Sequence, residues 1–403
     1  MDGGFTDIEA RLARLRGGQL PETYDARKIA ALAGNPGCRR RSVLDAAAVE
    51  KRRVASYIGF PAPFGQSPFA MARESAFQAQ VKDNGAMELL ALLREVLGLD
   101  LAEAHYDDLG DVAGNVNQGL RYAHTRQVLT AVPQRRGTMF DHPLLRFRVA
   151  GRHAYLQPDL VAFRHDATFH VVMVRSFPVI DGQADSSGVA AAAIQSAVFV
   201  LALRDLLAGA GLDGDAMVHH ETVLVTPRDF ANQPVASLLD VRKQLATVRR
   251  QVARMDRVED IIAPLPGDLT FDLDADDKGV PRRRPGDLAD AVGCVPASYS
   301  PECLGACEMC FFCREEASEH GDTGVLGKAV REDLGGIESV ARALRLARGQ
   351  GPGPVPPDLA EAATIVRRAA RLRGEAMAGD GAVPGHGAVP GAGTVINEGT
   401  GAS

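Results

Sequence analysis

Four cysteines stand within eleven residues: Cys303, Cys307, Cys310 and Cys313, with three, two and two residues between them. The whole chain has six cysteines in 403 residues, so this crowding is not scatter. Thiolates at such spacings suit a soft metal or an iron–sulfur cluster. Four ligands in eleven residues are tight for a self-contained tetrahedral zinc site, which usually pairs two separated knuckles. A fifth cysteine, Cys38, follows the turn Gly34-Asn35-Pro36-Gly37 and precedes Arg39, Arg40 and Arg41. Neighbouring cations of that kind lower a thiol pKa and favour the thiolate. Cys294 receives no role.

The remaining composition sets broad limits. The N-terminus is charged and helical in pattern, unlike a signal peptide, and no run of about eighteen apolar residues suggests a membrane span. A soluble cytoplasmic protein with no membrane partner is expected, and there clustered cysteines bind metal more often than they form disulfides. The formal charge of −6 excludes a surface coated in positive charge but leaves room for a local basic groove. Basic runs occur at Arg39–Arg41, Lys51–Arg53, Arg249/Arg250/Arg254 and Arg282–Arg284.

Along the chain, residues 1–57 and 69–97 read as helical, separated by a Pro/Gly-rich loop. Residues 144–163 and 168–177 read as short strands broken by turns. An Ala-rich helix is expected over 187–207, a buried strand over 222–226, and a helix over 234–256. His219-His220 is taken as a strand-entry pair. Helical patterns return near 323–348 and 358–376, and a Gly/Ala/Pro tail follows that cannot bury a core. The organisation expected is a helical region over 1–140, an α/β core with the cysteine segment over 141–320, helices over 321–376 and a disordered tail over 377–403.

Asp159 ends one strand, Met173-Val174-Arg175 lies in the next, and Gln195 with Phe199 follows one turn apart on the Ala-rich helix. In this order, with a cysteine near one end and three near the other, the chain resembles the PD-(D/E)XK nucleases. The likeness is to their RecB-like branch with an iron–sulfur cluster, which includes CRISPR-adaptation exonucleases. The resemblance implies a central mixed β-sheet of restriction-endonuclease-like type with helical elaborations. It implies an aspartate at Asp159, a glutamine at Gln195, an aromatic at Phe199 and a helical-motif residue at Glu74. In such a site Glu74 and Asp159 would hold magnesium or manganese through oxygen ligands. The metal would activate water, with Arg175 stabilising charge and Gln195 positioning the nucleic acid.

The departure falls on the Glu-x-Lys position. Met173 offers only a thioether, a poor ligand for a hard cation, and Arg175 cannot act as a proton acceptor. The expected function is therefore DNA binding with cleavage weak or lost, in a repair or defence complex with protein partners. For the cysteines, the resemblance implies a 4Fe–4S cluster on Cys38, Cys303, Cys307 and Cys313, with Cys310 a bystander or alternate ligand. Such a cluster would close a loop of roughly 270 residues and constrain the unfolded chain. Zinc at the cysteines, in a non-enzymatic interaction protein, stays open as the alternative. An electron-transfer protein is the third reading.

Overall fold

The computed structural model describes residues 3–62, 68–100, 103–110, 117–131, 137–157, 160–165, 168–180, 183–229, 232–350 and 355–379. Asp159 and residues 380–403 of the tail expected over 377–403 lie outside the described residues; residues 377–379 instead end a helix. The chain divides into two units, 1–319 and 320–403.

In the first unit the helices are α1 (Gly3–Arg16), α2 (Ala26–Gly34), α3 (Arg39–Ala46), α4 (Lys51–Tyr57), α5 (Pro68–Leu97), α6 (Gln118–Thr130), α7 (Ser186–Ala208), α8 (Gly214–Met217), α9 (Arg242–Asp256), α10 (Val258–Ile262), α11 (Pro285–Gly293) and α12 (Cys310–Glu319). The strands are β1 (His105–Asp108), β2 (Thr138–Asp141), β3 (Leu145–Val149), β4 (Arg152–Leu156), β5 (Leu160–His165), β6 (Thr168–Val174), β7 (Val179–Ile180), β8 (Gln183–Ala184), β9 (Glu221–Arg228) and β10 (Gln233–Asp240). Eight of them form one mixed sheet in the order β1-β2-β5-β6-β9-β7-β8, with β10 also paired to β9; β3 and β4 form a separate hairpin.

β6 and β9 are the sheet's centre. They run parallel, with Val172, Met173 and Val174 opposite Val223, Leu224 and Val225. Both are nearly continuous apolar runs, as strands covered on two faces must be. On one face α5 packs Phe77, Val81, Leu89 and Leu93 against Val172, Val174, Val223 and Val225. Successive strand residues point to opposite faces, so Met173 looks the other way, where the Ser196 hydroxyl of α7 donates to its sulfur at 2.7 Å. α7 is long and apolar enough by length and composition to cross a membrane, but 56% of its apolar window is buried. It contacts α2, α9, β3 and β6, which makes it the core helix of this unit.

Three local departures from the sequence reading have clear causes. The helix over 69–97 is interrupted, because Asn84, Gly85 and Ala86 take φ of 52°, 68° and 60°; an Asp-Asn-Gly run favours that turn. Ala86 and the following Leu89 nevertheless rejoin the same apolar cluster. The helix expected over 234–256 starts at Arg242, since residues 233–240 form β10 against β9. Pro234 is tolerated there because the strand lies at an edge. Finally, β1 and β2 sit inside the region expected to be helical. At four residues each, they are too short for a period to register.

The second unit contains α13 (Lys328–Asp333), α14 (Val340–Ala347) and α15 (Ala360–Gly379). Leu334, Ile337, Leu359 and Ala362 form its small core, and the buried Thr323 hydroxyl donates to the Ile337 carbonyl at 2.8 Å.

His219 and His220, at the entry to β9, stack at 4.6 Å, and His219 lies 5.1 Å from His170 of β6. Burial first, and then His219, push His170 from 6.5 down to about 4, with Glu221 pulling the other way. The unfolded chain therefore takes up a proton near pH 6.5 that the folded chain refuses until about pH 4, so stability falls as pH drops through that window. His170→Gln is expected to flatten the fall, measured as urea midpoints at about pH 7 and about pH 4.5.

Candidate functional site

Cys38, Cys303, Cys307, Cys310 and Cys313 are all buried, and Cys294 is exposed. Cys38 caps the start of α3, and a short 3-10 turn over Pro301–Gly305 presents Cys303. Cys310 and Cys313 lie on the first turn of α12. Two polar groups from the N-terminal helices reach the distant sulfurs. Asn35 Nδ2 donates to the Ser298 carbonyl at 2.5 Å and to Cys303 Sγ at 3.2 Å. Arg40 Nη1 donates to Cys313 Sγ at 3.2 Å. Cys38 is close enough to Cys313, and Cys303 to Cys310, for each charge to be felt by the other. Cys310 thus lies beside Cys303.

As bare thiols Cys307, Cys310 and Cys313 resist ionisation. Burial pushes Cys307 up to about 12 against the pull of Arg41 and Lys51, and Cys313 up to about 12 against Arg40. A metal ion must displace those protons, so binding here releases protons.

Two members of the basic run Arg39–Arg41 are buried and so form no part of an exposed basic groove. Arg40 is 1% exposed: it forks onto Glu316 at 2.8 and 2.9 Å, donates from Nε to the Val295 carbonyl and lies over the Phe312 ring. Arg41 donates to Asp45 at 3.1 Å and to the Ala306 carbonyl at 2.5 Å. Lys51 of α4, also 1% exposed, meets Asp45 at 2.5 Å, Glu22 at 3.2 Å and Glu308 at 3.8 Å. Buried charge is tolerable only when it is paired and hydrogen-bonded. These cations are paired with the segment that carries the cysteines.

The motif residues converge on a neighbouring place. Arg175, one residue past β6, donates from Nη1 to Glu74 at 3.0 Å and from Nη2 to Gln195 at 2.8 Å. Glu74 is buried near the start of α5, and Gln195 and Phe199 stand one turn apart on α7. Arg175, Gln195 and Phe199 line a cavity of about 510 Å³ with Gln157, Glu22 and Glu308. Glu308 comes from the cysteine segment and is 2% exposed; among the described residues its Oε2 has no hydrogen-bond partner, the Lys51 ammonium lying 3.8 Å away. Met173 stays out of this cavity's chemistry, 1% exposed against Ser196. Three of the four expected catalytic residues are therefore joined, Glu74 and Gln195 each bonded to Arg175; the fourth, Asp159, lies outside the described residues.

A second polar cluster was missed by the sequence reading. Asp108, Asp141 and His142, at the ends of the adjacent strands β1 and β2, hold ligand atoms within 4.8 Å of one another. Lys82 pairs with Asp141 at 2.6 Å, the Tyr106 hydroxyl donates to it at 2.5 Å, and His142 meets Asp108 at 3.0 Å. The carboxylates are already compensated. The adjacent Asp141-His142 pair was the only sequence signal for it.

No family model, curated protein or solved structure matches the chain. The likeness to cluster-bearing nucleases rests on the motif residues themselves.

Asp45 is fully enclosed, and Lys51 and Arg41 hold its carboxyl below the usual range against the opposing effect of burial. Asp45→Asn would leave both cations short of a counter-charge and is expected to cost about 3–5 kcal/mol in urea unfolding.

Proposed function

We propose that the chain is a RecB-like PD-(D/E)XK nuclease-like protein with a restriction-endonuclease-type core. In this reading it binds DNA, carries a 4Fe–4S cluster on Cys38, Cys303, Cys307 and Cys313, and cleaves weakly or not at all. The observation that carries the reading is the shared cavity. Residues of the nuclease-like motif line it together with Glu308, which stands between two of the cysteines.

The donor set fits a thiolate-bound centre. Five buried cysteines are drawn from both ends of the first unit, with Arg40, Arg41 and Lys51 placed to offset thiolate charge. When bound, the cluster supplies a metal-mediated link between those ends, and its binding energy becomes folding energy. A single tetrahedral zinc would need sulfurs about 3.8 Å apart. Among the described residues no three cysteines bring their sulfurs within 4.8 Å of one another, so the thiols are not preassembled for zinc, and metal content decides between the two groups.

The groups around Arg175 fit magnesium or manganese poorly. Glu74 is already neutralised by the Arg175 guanidinium at 3.0 Å, and Met173 presents a buried thioether bonded to Ser196. A cation would have to displace the guanidinium first, so no cleavage step is assigned. The cavity instead offers Arg175 and Gln195 as groups that can grip a phosphodiester backbone without cutting it.

Protein purified without oxygen is expected to be brown with about four irons per chain, the colour being lost in Cys38→Ala. A colourless protein with one zinc per chain would establish the zinc-stabilised interaction protein instead. Manganese-dependent DNA cleavage abolished by Asp159→Ala would overturn the non-cleaving assignment.

Met173→Glu buries a carboxylate at a site now 1% exposed and is expected to lower stability by about 1–3 kcal/mol. Manganese should restore part of that loss, and combination with Arg175→Lys should raise cleavage above the wild-type level.

A further inference from the structure

Arg39 is the member of its run that does not turn inward. It lines a cavity of about 320 Å³ with Ser42 of the same helix and with Arg254, Arg257, Asp260 and Ile261. Two basic segments more than two hundred residues apart in the chain thus meet at one place. Within it three guanidiniums face one carboxylate. No hydrogen bond or ion pair engages the Arg39 guanidinium among the described residues. Arg257 is 70% exposed at its side chain, and its contact with Asp260 is a loose 3.9 Å. Arg254 donates to the Pro36 carbonyl, in the turn that presents Cys38. Other arginines of α9 are spent on local partners: Arg242 on Asp240 at 2.5 Å and Arg249 on Asp215 at 2.8 Å.

We infer that this cavity, formed by Arg39, Ser42, Arg254 and Arg257, is an oxyanion site that holds a backbone phosphate of bound nucleic acid. The inference rests on the DNA-binding reading and adds the contact point. A guanidinium presents a planar fork of donors that matches phosphate oxygens, and several together favour a doubly bonded anion over a halide. Three positive groups converging without matching carboxylates would otherwise repel one another, and a phosphate relieves that repulsion. Ser42 offers a hydroxyl whose single proton now goes to the Cys38 carbonyl at 3.1 Å and reaches the anion only by rotating away from it.

The test uses the full chain, purified without oxygen, and fluorescently labelled single-stranded and duplex DNA titrated across a salt series. In the wild type, log K falls with log salt in proportion to the phosphates neutralised. Arg39→Ala with Arg257→Ala is expected to reduce that slope by about one and affinity on the order of tenfold at about 0.1 M salt, irrespective of sequence. Arg39→Lys with Arg257→Lys should keep the slope, because charge is retained, and Arg242→Ala should leave it unchanged. Unaltered thermal melting of the double alanine variant checks that the loss is not unfolding.

Wild-type binding with no change of slope in the double alanine variant would overturn the site while leaving the DNA-binding reading intact. Calorimetric binding of inorganic phosphate that disappears in that variant, without any change in DNA slope, would overturn it in favour of a free-phosphate site. Wild-type protein that binds no DNA would sink both the site and the functional reading on which it rests.

Discussion

Arg40, Arg41 and Lys51 are cations taken out of water, and each meets groups brought from the other end of the first unit, Arg41 and Lys51 in addition to the nearby Asp45. Arg40 reaches the Val295 carbonyl, Cys313 and Glu316, which lie 255 to 276 residues further along the chain. Arg41 reaches Ala306, and Lys51 lies within ion-pair distance of Glu308. A buried cation without such partners would cost several kcal/mol, so α3, α4 and the cysteine segment must form together. That obligation places Cys38 among the other thiols before any metal is considered.

The same network shapes the neighbouring cavity. Asp45, Glu22 and Glu308 surround the Lys51 ammonium, and two of the three also line the cavity that contains Arg175 and Gln195. Glu308 thus belongs both to the cysteine segment and to the lining of that cavity. The Glu74–Arg175–Gln195 contacts form a second, smaller polar bridge, joining α5, the end of β6 and α7 around the sheet's centre. Arginine at position 175 makes that bridge possible, because one planar guanidinium satisfies two acceptors at once.

Legibility followed the strength of the local pattern. β6 and β9 could be read because TFHVVMV and TVLVT are short apolar runs rich in β-branched residues, and α7 because a helix-length segment dominated by Ala, Val and Leu admits few alternatives. β1, β2 and β10 could not, since their strand character comes from a partner: β1 exists by pairing with β2, and β10 by pairing with β9. The interruption of α5 was signalled by Asp83-Asn84-Gly85 but hidden by the apolar residues on either side. At the site, Gln195 and Arg175 were recognisable as candidates, but their mutual hydrogen bond was not. Nothing in the chain's order indicates that Glu74, about a hundred residues earlier, meets the same guanidinium.

The crowding of Cys303, Cys307, Cys310 and Cys313 is a property of the sequence alone, because covalent spacing keeps those thiols together in any fold. So are the apolar runs that demand a sheet covered on both faces. Tertiary structure decided what each charge in Arg39–Arg41 does. Two of these neighbours are drawn inward by carboxylates, carbonyls and a thiol from residues 295–316, and the third is left facing a cavity with Arg254 and Arg257. Local sequence makes the three arginines equivalent. Long-range pairing separates them, because a buried charge goes only where distant partners are waiting to compensate it.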